Sequence, residues 1–404
     1  MTKNSRIPVI LKGSTRTPIG NFLGGLSSLS ASDLGSIAVR AAIERGQIDV
    51  FDIDEVIMGN VVSAGVGQAP ARQAAMNGGI PPEVPALTIN KVCGSGLKAL
   101  MLAAQAVRAG DAQVVIAGGM ESMSSVPFYM NGLRTGVKFG NRPLVDGLIQ
   151  DGLWCSFGSC HMGGHAEYTA MKAGVSREDA DGFALHSHQK ACAAIRDGFF
   201  QDEIIPVEIK RRSGVVVVDT DESPRETTSL EALGALRPAF TREAPAEIKE
   251  HVVTAGNAPG LNDGAAAVVV TSLEYAKAHG LEIDALVSAY TSGATQPQDI
   301  FFAPIVAVKQ LSEIQGTSVQ DYELVELNEA FSVQAIANIR GLKLNADRVN
   351  VHGGAVALGH PIGASGTRIV VTLLRAMEQR DAAMGLATLC LGGGNAVALS
   401  VEKI

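Results

Sequence analysis

The chain repeats one β/α unit in its two halves. Each copy begins with a glycine-containing turn, continues as an apolar stretch of helical length, and then runs through a short apolar strand into consecutive glycines. The two turns are CGSG, which begins at Cys93, and HPIGASG, which begins at His360. The helical stretches and strands that follow them are 97–108 with 113–117, and 367–377 with 387–391. A helix that is apolar nearly all round is buried, so the repeat predicts two similar halves with these helices back to back at the centre.

The order of predicted strands and helices is typical of an α/β fold. A strand at 8–11, a helix at 31–45 and a strand at 54–62 begin an alternating pattern, which predicts a parallel sheet. From 123 to 262 the composition changes to more charge, tyrosine, phenylalanine and scattered proline, which indicates an inserted domain. We therefore expect three parts. They are an N-terminal half at 1–122 with the return segment 263–283, a loop domain at 123–262, and a C-terminal half at 284–404.

The composition argues against several classes of protein. The 404 residues are 46% hydrophobic and carry 33 Lys and Arg against 41 Asp and Glu, so no overall basic surface is available for nucleic acid or an anionic membrane. No apolar run is long enough to span a bilayer. Five cysteines at irregular spacing, with no secretory leader, indicate reduced thiols. The strand-like PVIL begins at Pro8 and the terminal VEKI is not a peroxisomal address, so we expect a cytoplasmic protein.

Cys93 lies where a turn runs into a helix. The glycines that follow it permit a tight turn before the apolar stretch begins. The free amide groups and dipole at a helix N-terminus favour an anion, so a thiol with a reference pKa of about 8.5 should be a thiolate more often there than in water. This pattern predicts a nucleophile. The alternative is that Cys93 is a small buried apolar residue, as most free cysteines are.

Cys93, His360 and Cys390 each lie beside glycines at the end of an element. An imidazole beside a thiol can take its proton, and a second thiol can act as an acid or base at another step. The glycines leave backbone amides free to stabilise an oxyanion. Taken separately, each residue could belong to the core or to a loop, but the three together predict a catalytic site.

Other segments contain residues typical of ligand sites. The GxG within 65–71 lacks the third glycine and the acidic residue of a dinucleotide-binding turn. The segment 154–165, WCSFGSCHMGGH, contains two cysteines and two histidines, but its C-x4-C-H-x3-H spacing fits neither a CxxC knuckle nor a zinc ribbon, so we expect no metal site. Basic residues in the inserted domain are mostly expected to be solvated, although an anion-binding rim would need them. They are Lys210, Arg211, Arg212, Arg225 and Arg237.

Several motifs together resemble those of the thiolases. VCGSGLKAL around Cys93, NEAF from Asn328, GHPIGASG around His360 and CLGGG from Cys390 are similar to the four catalytic motifs of that family, and TAGNAPGLNDGAAA at 254–267 is similar to a fifth. They occur in the family's order and span nearly the whole chain. The resemblance implies a five-layered αβαβα fold from two similar halves, a loop domain over the active site, and a homo-oligomer, either a dimer or a tetramer.

The resemblance also implies a reaction. Cys93 would attack a coenzyme A thioester and carry the acyl group after activation by His360. Cys390 would then remove the α-proton of a second acetyl-CoA, whose carbanion attacks the acyl group in a Claisen condensation. One oxyanion site would use His360 and a water held by Asn328, and the other would use the backbone amides of Cys93 and Gly392. The implied substrates are acetyl-CoA and short acyl-CoA, and no cofactor or metal is implied.

The resemblance places further residues against the substrate and also shows departures from the family. The implied substrate-binding residues are Arg225, His161, Met162, Ala258, Pro259 and Phe331. Pro259 stands where a serine that contacts pantetheine is common, and His352 stands where asparagine is usual. The segment 300–304, IFFAP, replaces a Gly-rich stretch that carries a methionine.

The chain-length prediction rests on the same resemblance. His161 and Met162 match the HMG of short-chain members, and Phe301 with Phe302 adds aromatic volume nearby. We therefore predict a preference for 3-ketoacyl chains of about four to six carbons. The alternatives are a degradative thiolase acting on longer chains, a non-catalytic protein that binds coenzyme A or acyl groups, and a zinc-binding structural protein.

Overall fold

The computed structural model describes residues 6–212 and 214–404. Its strands are β1 (Pro8–Leu11), β2 (Thr15–Arg16), β3 (Gly20–Asn21), β4 (Glu55–Gly59), β5 (Ala86–Ile89), β6 (Val114–Ser122), β7 (Phe128–Tyr129), β8 (Val145–Asp146), β9 (Trp154–Cys155), β10 (Cys160–His161), β11 (Val207–Arg211), β12 (Gly214–Val218), β13 (Asn262–Ser272), β14 (Ile283–Ala294), β15 (Leu324–Leu327), β16 (Met384–Leu391) and β17 (Asn395–Glu402). Its α-helices are α1 (Ala31–Gly46), α2 (Pro70–Asn77), α3 (Ser95–Ala109), α4 (Met162–Ala173), α5 (Arg177–Arg196), α6 (Leu230–Gly234), α7 (Leu273–Ala278), α8 (Ala303–Gln315), α9 (Ser332–Leu342), α10 (Ala355–Leu358) and α11 (Ser365–Arg380).

The helices and the main sheet form five layers. Helices α3 and α11 pack against each other and contact β6 and β13 in the first half and β16 and β17 in the second. The outer face of the first half is covered by α1 and α2, and that of the second half by α8. Side chains of β1 alternate accordingly, because Ile10 joins the central apolar cluster whereas Val9 and Leu11 join the outer one. The predicted αβαβα arrangement of two similar halves is confirmed.

The main sheet is mixed, so the prediction of a parallel sheet is only partly correct. Its strand order is β15-β16-β17-β14-β1-β13-β6-β4-β5, with β2 and β3 paired to β13. β4 is parallel to β5 and β6, and β15 is parallel to β16, as a β/α alternation predicts. β13 and β17 are antiparallel to their neighbours. The tight turn between β16 and β17 forces the antiparallel sense, and β13 enters from the inserted region rather than from a crossover helix.

The two central helices meet at their N-terminal ends. A Cβ atom on Gly96 would lie 2.6 Å from Thr367 Oγ1 and 2.7 Å from its backbone nitrogen, and one on Gly366 would overlap the backbone of α3. Glycine at both positions allows the two backbones to touch. This contact brings together the two segments that precede the helices, and these segments carry Cys93 and His360.

The region between β6 and β13 contains α4, α5, α6 and three two-stranded ribbons. Helix α4 packs on α9 and on the 297–302 segment, and α5 packs on α9 and α10. This region therefore lies against the second half of the molecule. The domain boundaries stay a prediction. In the described ranges, none of the helices combines the length and the apolar character needed to cross a membrane.

A buried ion cluster links the inserted region to the core. Arg16 is fully buried, donates to both carboxylate oxygens of Asp221 at 2.7 and 2.8 Å, and donates to Glu203 at 2.5 Å. The hydroxyl of Thr372 on α11 donates to the same Glu203 oxygen at 3.1 Å. The two carboxylates raise the pKa of Arg16 above its usual value, so the guanidinium stays charged. The cluster connects β2, the inserted region and a central helix.

Candidate active site

Cys93 is presented by a strained turn. Val92 has φ +48, a left-handed conformation that a β-branched residue rarely adopts. The Ser95 hydroxyl donates to the Val92 carbonyl at 2.6 Å and accepts from the Lys91 amide at 2.8 Å, which holds the turn closed. Gly94 is the N-cap of α3, so Cys93 immediately precedes the helix, as the sequence predicted. Strain of this kind is concentrated at functional sites.

His360 is held in one orientation and one tautomer. Its backbone amide donates to Asn262 Oδ1 at 2.8 Å, and its Nδ1 lies 2.6 Å from the Ser365 hydroxyl. That hydroxyl donates its single hydrogen to the Pro361 carbonyl at 2.9 Å, so it can only accept from His360. The proton of the neutral ring is therefore on Nδ1, and Nε2 keeps a free lone pair. Asn328 Nδ2 lies 3.5 Å from Nε2.

Cys390 and Gly392 complete the candidate group around Cys93. Cys390 is 2% exposed near the end of β16, and burial together with charge on Cys93 raises its pKa well above the usual value. Both cysteines line the same cavity. The backbone amides of Cys93 and Gly392 oppose the rise of the pKa of the Cys93 thiol. Cys93 belongs to the first half of the chain, whereas His360, Cys390 and Gly392 belong to the second.

One cavity of about 1010 Å³ joins most of the residues singled out from the sequence. Those that line it are Cys93, His360, Cys390, Gly392, His161, Met162, Ala258, Pro259 and Phe331. Asn328 is fully buried and does not line the cavity, but its side chain lies beside the His360 ring, which does. Arg225 is exposed and does not line the cavity, and its backbone amide donates to His188 at 3.2 Å.

The prediction that the helix end makes Cys93 a thiolate is wrong for the unliganded site. Burial raises the pKa of Cys93 to about 12, and the charge of Glu121 raises it further. The backbone amides of Cys93 and Gly392 act in the opposite direction but do not cancel this rise. Burial and the charge of Arg368 lower the pKa of His360 to about 3, so the imidazole is neutral. The resting pair is therefore a thiol and a free base. Proton transfer to His360 must accompany attack by the sulfur.

Glu121 is a site residue that sequence reasoning missed. Its carboxylate is fully buried and accepts from Asn60 Nδ2 at 2.9 Å and from the amides of Val61, Val62 and Gly363 at 3.1, 3.3 and 3.0 Å. It fastens the loop after β4 to the turn that follows His360. Burial raises its pKa to about 7. Its place at the end of a buried strand was the only signal in the sequence. Ser365 was also missed, although it lies within the GHPIGASG motif.

The two phenylalanines of the 300–304 segment have different surroundings. Phe301 is 2% exposed, lines the cavity and meets the Phe331 ring edge-on at 5.3 Å. Phe302 does not line the cavity and lies under the Lys172 ammonium at 5.2 Å. The prediction that both limit the acyl pocket is therefore wrong for Phe302, because consecutive residues in this helical segment face different directions.

His161, Met162 and His352 also have defined environments. His161 stacks on Phe240 at 4.7 Å and accepts from the Gly163 amide through Nδ1 at 3.1 Å, which holds it as part of the cavity wall. Met162 begins α4 beside it. His352 lies away from the cavity, buried between Phe199 and Gln379.

The cysteines and histidines of 154–165 do not gather into a tetrad. Cys160 Sγ lies 3.7 Å from His165 Nε2, whereas His161 is directed to Phe240. Over residues 6–212 and 214–404, no group of three or more His, Cys, Asp or Glu side chains is placed to hold a metal ion.

Comparisons with known proteins agree over the full length of the chain. Residues 9–274 match the thiolase N-terminal domain, and residues 281–403 match the thiolase C-terminal domain. An acetyl-CoA acetyltransferase of Pseudomonas aeruginosa is 50% identical over 98% of this chain and 99% of its own length. Acetyl-CoA acetyltransferases of Escherichia coli and Yarrowia lipolytica are 48% and 46% identical, covering 98% and 97% of this chain and 99% and 96% of their own lengths. The chain belongs to the thiolase family.

Proposed function

We propose that this protein catalyses the reversible Claisen condensation of two acetyl-CoA molecules to acetoacetyl-CoA and coenzyme A, and the thiolysis of short 3-ketoacyl-CoA. The observation that carries the proposal is the meeting of Cys93, Cys390 and a neutral His360 in one cavity. Relatives that are about half identical over almost the whole chain are named acetyl-CoA acetyltransferases, which supports the same substrates here.

The first half-reaction transfers the acyl group to the protein. Cys93 Sγ attacks the thioester carbonyl while its proton moves to Nε2 of His360, whose lone pair is free because Ser365 holds the other nitrogen as a donor. The carbon–sulfur bond to coenzyme A then breaks. Cys390 is a thiol at rest because its pKa is raised, so it can give its proton to the departing coenzyme A sulfur. Acyl-Cys93, a His360 imidazolium and a Cys390 thiolate remain.

The second half-reaction forms the carbon–carbon bond. The Cys390 thiolate takes the α-proton of a second acetyl-CoA, and the carbanion attacks the carbonyl carbon of acyl-Cys93. The bond between that carbon and Cys93 Sγ breaks, and the sulfur recovers its proton from His360. Every group returns to its starting protonation state, so the same steps run backwards as thiolysis.

Two groups are available to stabilise the oxyanions. Asn328 Oδ1 is buried and has no hydrogen-bond partner among the residues that the structure describes, so the amide is free to orient a water beside His360. The amides of Cys93 and Gly392 act to lower the pKa of the Cys93 thiol, and in the tetrahedral intermediate they would donate to the oxyanion.

Coenzyme A would enter along the side of the cavity formed by Ala258, Pro259 and Phe331. Pro259 has no amide hydrogen and no hydroxyl, so pantetheine must find its hydrogen bonds elsewhere. Arg225 would contact coenzyme A only outside the cavity.

We further propose a homo-oligomer in the cytoplasm. β5 is an open edge of the main sheet with Leu87 exposed, and edge strands of this kind readily pair with another chain. Large apolar side chains are also exposed between β7 and the segment after β8, namely Phe128, Leu133, Phe139, Leu144 and Ile149. All five cysteines are unpaired, which supports a reducing compartment.

The decisive experiment separates the roles of the two cysteines. After brief exposure to acetyl-CoA labelled in the acetyl group, the label should be found on the peptide that contains Cys93, and Cys93→Ala should abolish it. Cys390→Ala should still accept label yet fail to form acetoacetyl-CoA. Label that persists in Cys93→Ala, or absence of thiolysis with both acetoacetyl-CoA and longer 3-ketoacyl-CoA, would refute the proposal.

A further inference from the structure

We propose that Cys155 and Cys160 form a reversible disulfide when a hydroperoxide reaches the protein, and that this bond alters the wall of the acyl pocket. Neither residue belongs to the catalytic group. Both lie in the hairpin made by β9 and β10, in which Cys155 is the register partner of Cys160 and Trp154 is the register partner of His161. Both thiols are free in the structure.

The hairpin geometry suits a disulfide. Residues directly opposite each other in an antiparallel pair have their side chains on one face, with Cβ atoms about 4.5–5.5 Å apart. A disulfide requires Cβ atoms about 3.5–4.5 Å apart, so only a small closing movement is needed. The four residues between the cysteines form a turn whose last residue, Ser159, has φ +49. Gly158 donates to Cys155 Sγ at 3.3 Å, which directs that sulfur into the turn.

Of the two hairpin cysteines, Cys160 is the more accessible to an oxidant, because Cys155 is buried. Cys160 is only partly buried and lines a second cavity of about 570 Å³, which shares only Phe157 with the catalytic cavity. His165 Nε2 lies 3.7 Å from its sulfur. A Cβ atom at Gly158 would lie 2.9 Å from Cε1 of this imidazole, so the turn is packed closely on α4 and keeps the pair together.

The neighbouring histidine supplies the base that the reaction requires. Burial raises the pKa of Cys160, and Cys155 and Glu243 act in the same direction, so the resting group is a thiol. Burial lowers the pKa of His165, so its imidazole is neutral and can take the thiol proton. The thiolate then attacks the peroxide and is oxidised to a sulfenic acid, while the O–O bond breaks and the departing oxygen takes the proton from His165 and leaves as water or an alcohol.

Closure of the disulfide completes the chemistry. The Cys155 thiol attacks the sulfenic sulfur of Cys160, the sulfur–sulfur bond forms and water leaves with the thiol proton. The two cysteines lose two electrons in total and the peroxide gains them. A dithiol reductant reverses the reaction by thiol exchange.

The position of the hairpin gives the bond a consequence. Trp154, Cys155 and Phe157 line the catalytic cavity, as do His161 and Met162, which follow Cys160 directly. Drawing the two strands together displaces the wall that faces the acyl group. The disulfide itself does not depend on the proposed activity, whereas this effect on substrate rests on it.

Peptide mass tests the bond without any assay of activity. Trypsin releases both cysteines in one peptide, 139–172, which contains no other cysteine. After hydrogen peroxide treatment and alkylation of the unfolded protein, we expect this peptide to lack two hydrogen atoms and both alkyl groups, and dithiothreitol to restore them. Cys160→Ser should give no such peptide, and Cys192→Ser, at a buried cysteine on α5, should behave as wild type. Alkylation of both cysteines after treatment, or oxidation confined to Cys93 and Cys390, would overturn the proposal.

Kinetics test the effect on the pocket. Oxidation of Cys93 or Cys390 removes active molecules and lowers kcat without changing KM. The hairpin disulfide should instead raise KM for acetoacetyl-CoA by about threefold in wild type and Cys192→Ser, reversibly and with no change in Cys160→Ser. If the disulfide forms and KM stays constant, the effect on the pocket is refuted. Absence of thiolysis in the reduced enzyme would refute the proposed function and leave the mass result standing.

Discussion

At the scale of single residues, the chemistry of His360 depends on one hydroxyl group. Ser365 gives its hydrogen to the Pro361 carbonyl and accepts from Nδ1, so the opposite nitrogen is left as a base. Neither helix propensity nor apolar pattern could have assigned this role, because it arises from the way the turn folds back over the first residue of α11.

Replacing this hydroxyl should weaken the base without removing it. We expect Ser365→Ala to lower the rate of Cys93 acylation by about tenfold or more, because part of the imidazole will adopt the other tautomer. Ser365→Thr keeps the hydroxyl and should recover most of the rate. Stopped-flow measurement of coenzyme A release from acetyl-CoA checks this. Equal rates in wild type and Ser365→Ala would show that another contact fixes the tautomer.

The pH dependence of alkylation tests the protonation states of the pair. With the pKa of Cys93 raised to about 12, the thiolate fraction should grow about tenfold for each pH unit, so the iodoacetamide rate should rise from pH 7 to 10 without levelling off. His360, with a pKa of about 3, is unprotonated throughout this range and adds no inflection. His360→Ala should react more slowly near neutral pH. A rate that levels off between pH 9 and 10 would indicate a thiol of ordinary acidity, with a pKa of about 8.5.

At the scale of elements, only one of the two phenylalanines of the 297–302 segment lines the cavity, and we propose that this residue, Phe301, limits the depth of the acyl pocket. Each methylene that an apolar pocket accommodates is worth about 0.8 kcal/mol, or about a fourfold change in kcat/KM. We expect wild-type thiolysis to peak at four to six carbons. Phe301→Ala or Met162→Gly should move the optimum to longer chains. Phe302→Ala is the matched control and should leave the optimum unchanged.

Comparison of kcat/KM across a series of 3-ketoacyl-CoA lengths makes this measurement. A wild-type optimum at eight carbons or more would favour the degradative alternative. A shift caused by Phe302→Ala equal to that caused by Phe301→Ala would contradict the orientation of the two rings.

The elements themselves were largely predictable, whereas their pairing and the residues that link loops were not. The stretches 97–108 and 367–377 lie within α3 and α11, and their mostly apolar sequence reflects the burial of most of their residues, although Gln105 and Arg108 of α3 are exposed. The antiparallel sense of β13 was missed, since it depends on where the inserted region returns the chain. Glu121 was missed because its four partners are backbone and amide groups that only the folded loops bring together.

At the scale of the whole molecule, the buried cluster around Arg16 holds the inserted region to the core. Arg16→Met keeps similar bulk but leaves the carboxylates of Glu203 and Asp221 buried without a counterion. We expect the free energy of unfolding to fall by about 3–5 kcal/mol, measured by chemical denaturation. Lys12→Met, which removes an exposed pair with Glu378, should cost less than about 1 kcal/mol. Equal losses would mean that burial does not distinguish the two sites.

The contact of Gly96 with the start of α11 means that the proposed catalytic residues meet only when the two halves of the chain dock. One half of the chain contributes the proposed nucleophile and the other its proposed base, and they become neighbours only when the two central helices touch. A half that has folded alone would leave the apolar face of its central helix uncovered, because the central cluster takes residues from both halves, and it would lack part of the proposed catalytic group. During refolding, regain of catalysis should therefore lag behind regain of helicity. The time course of regained activity would therefore report when the two halves have docked.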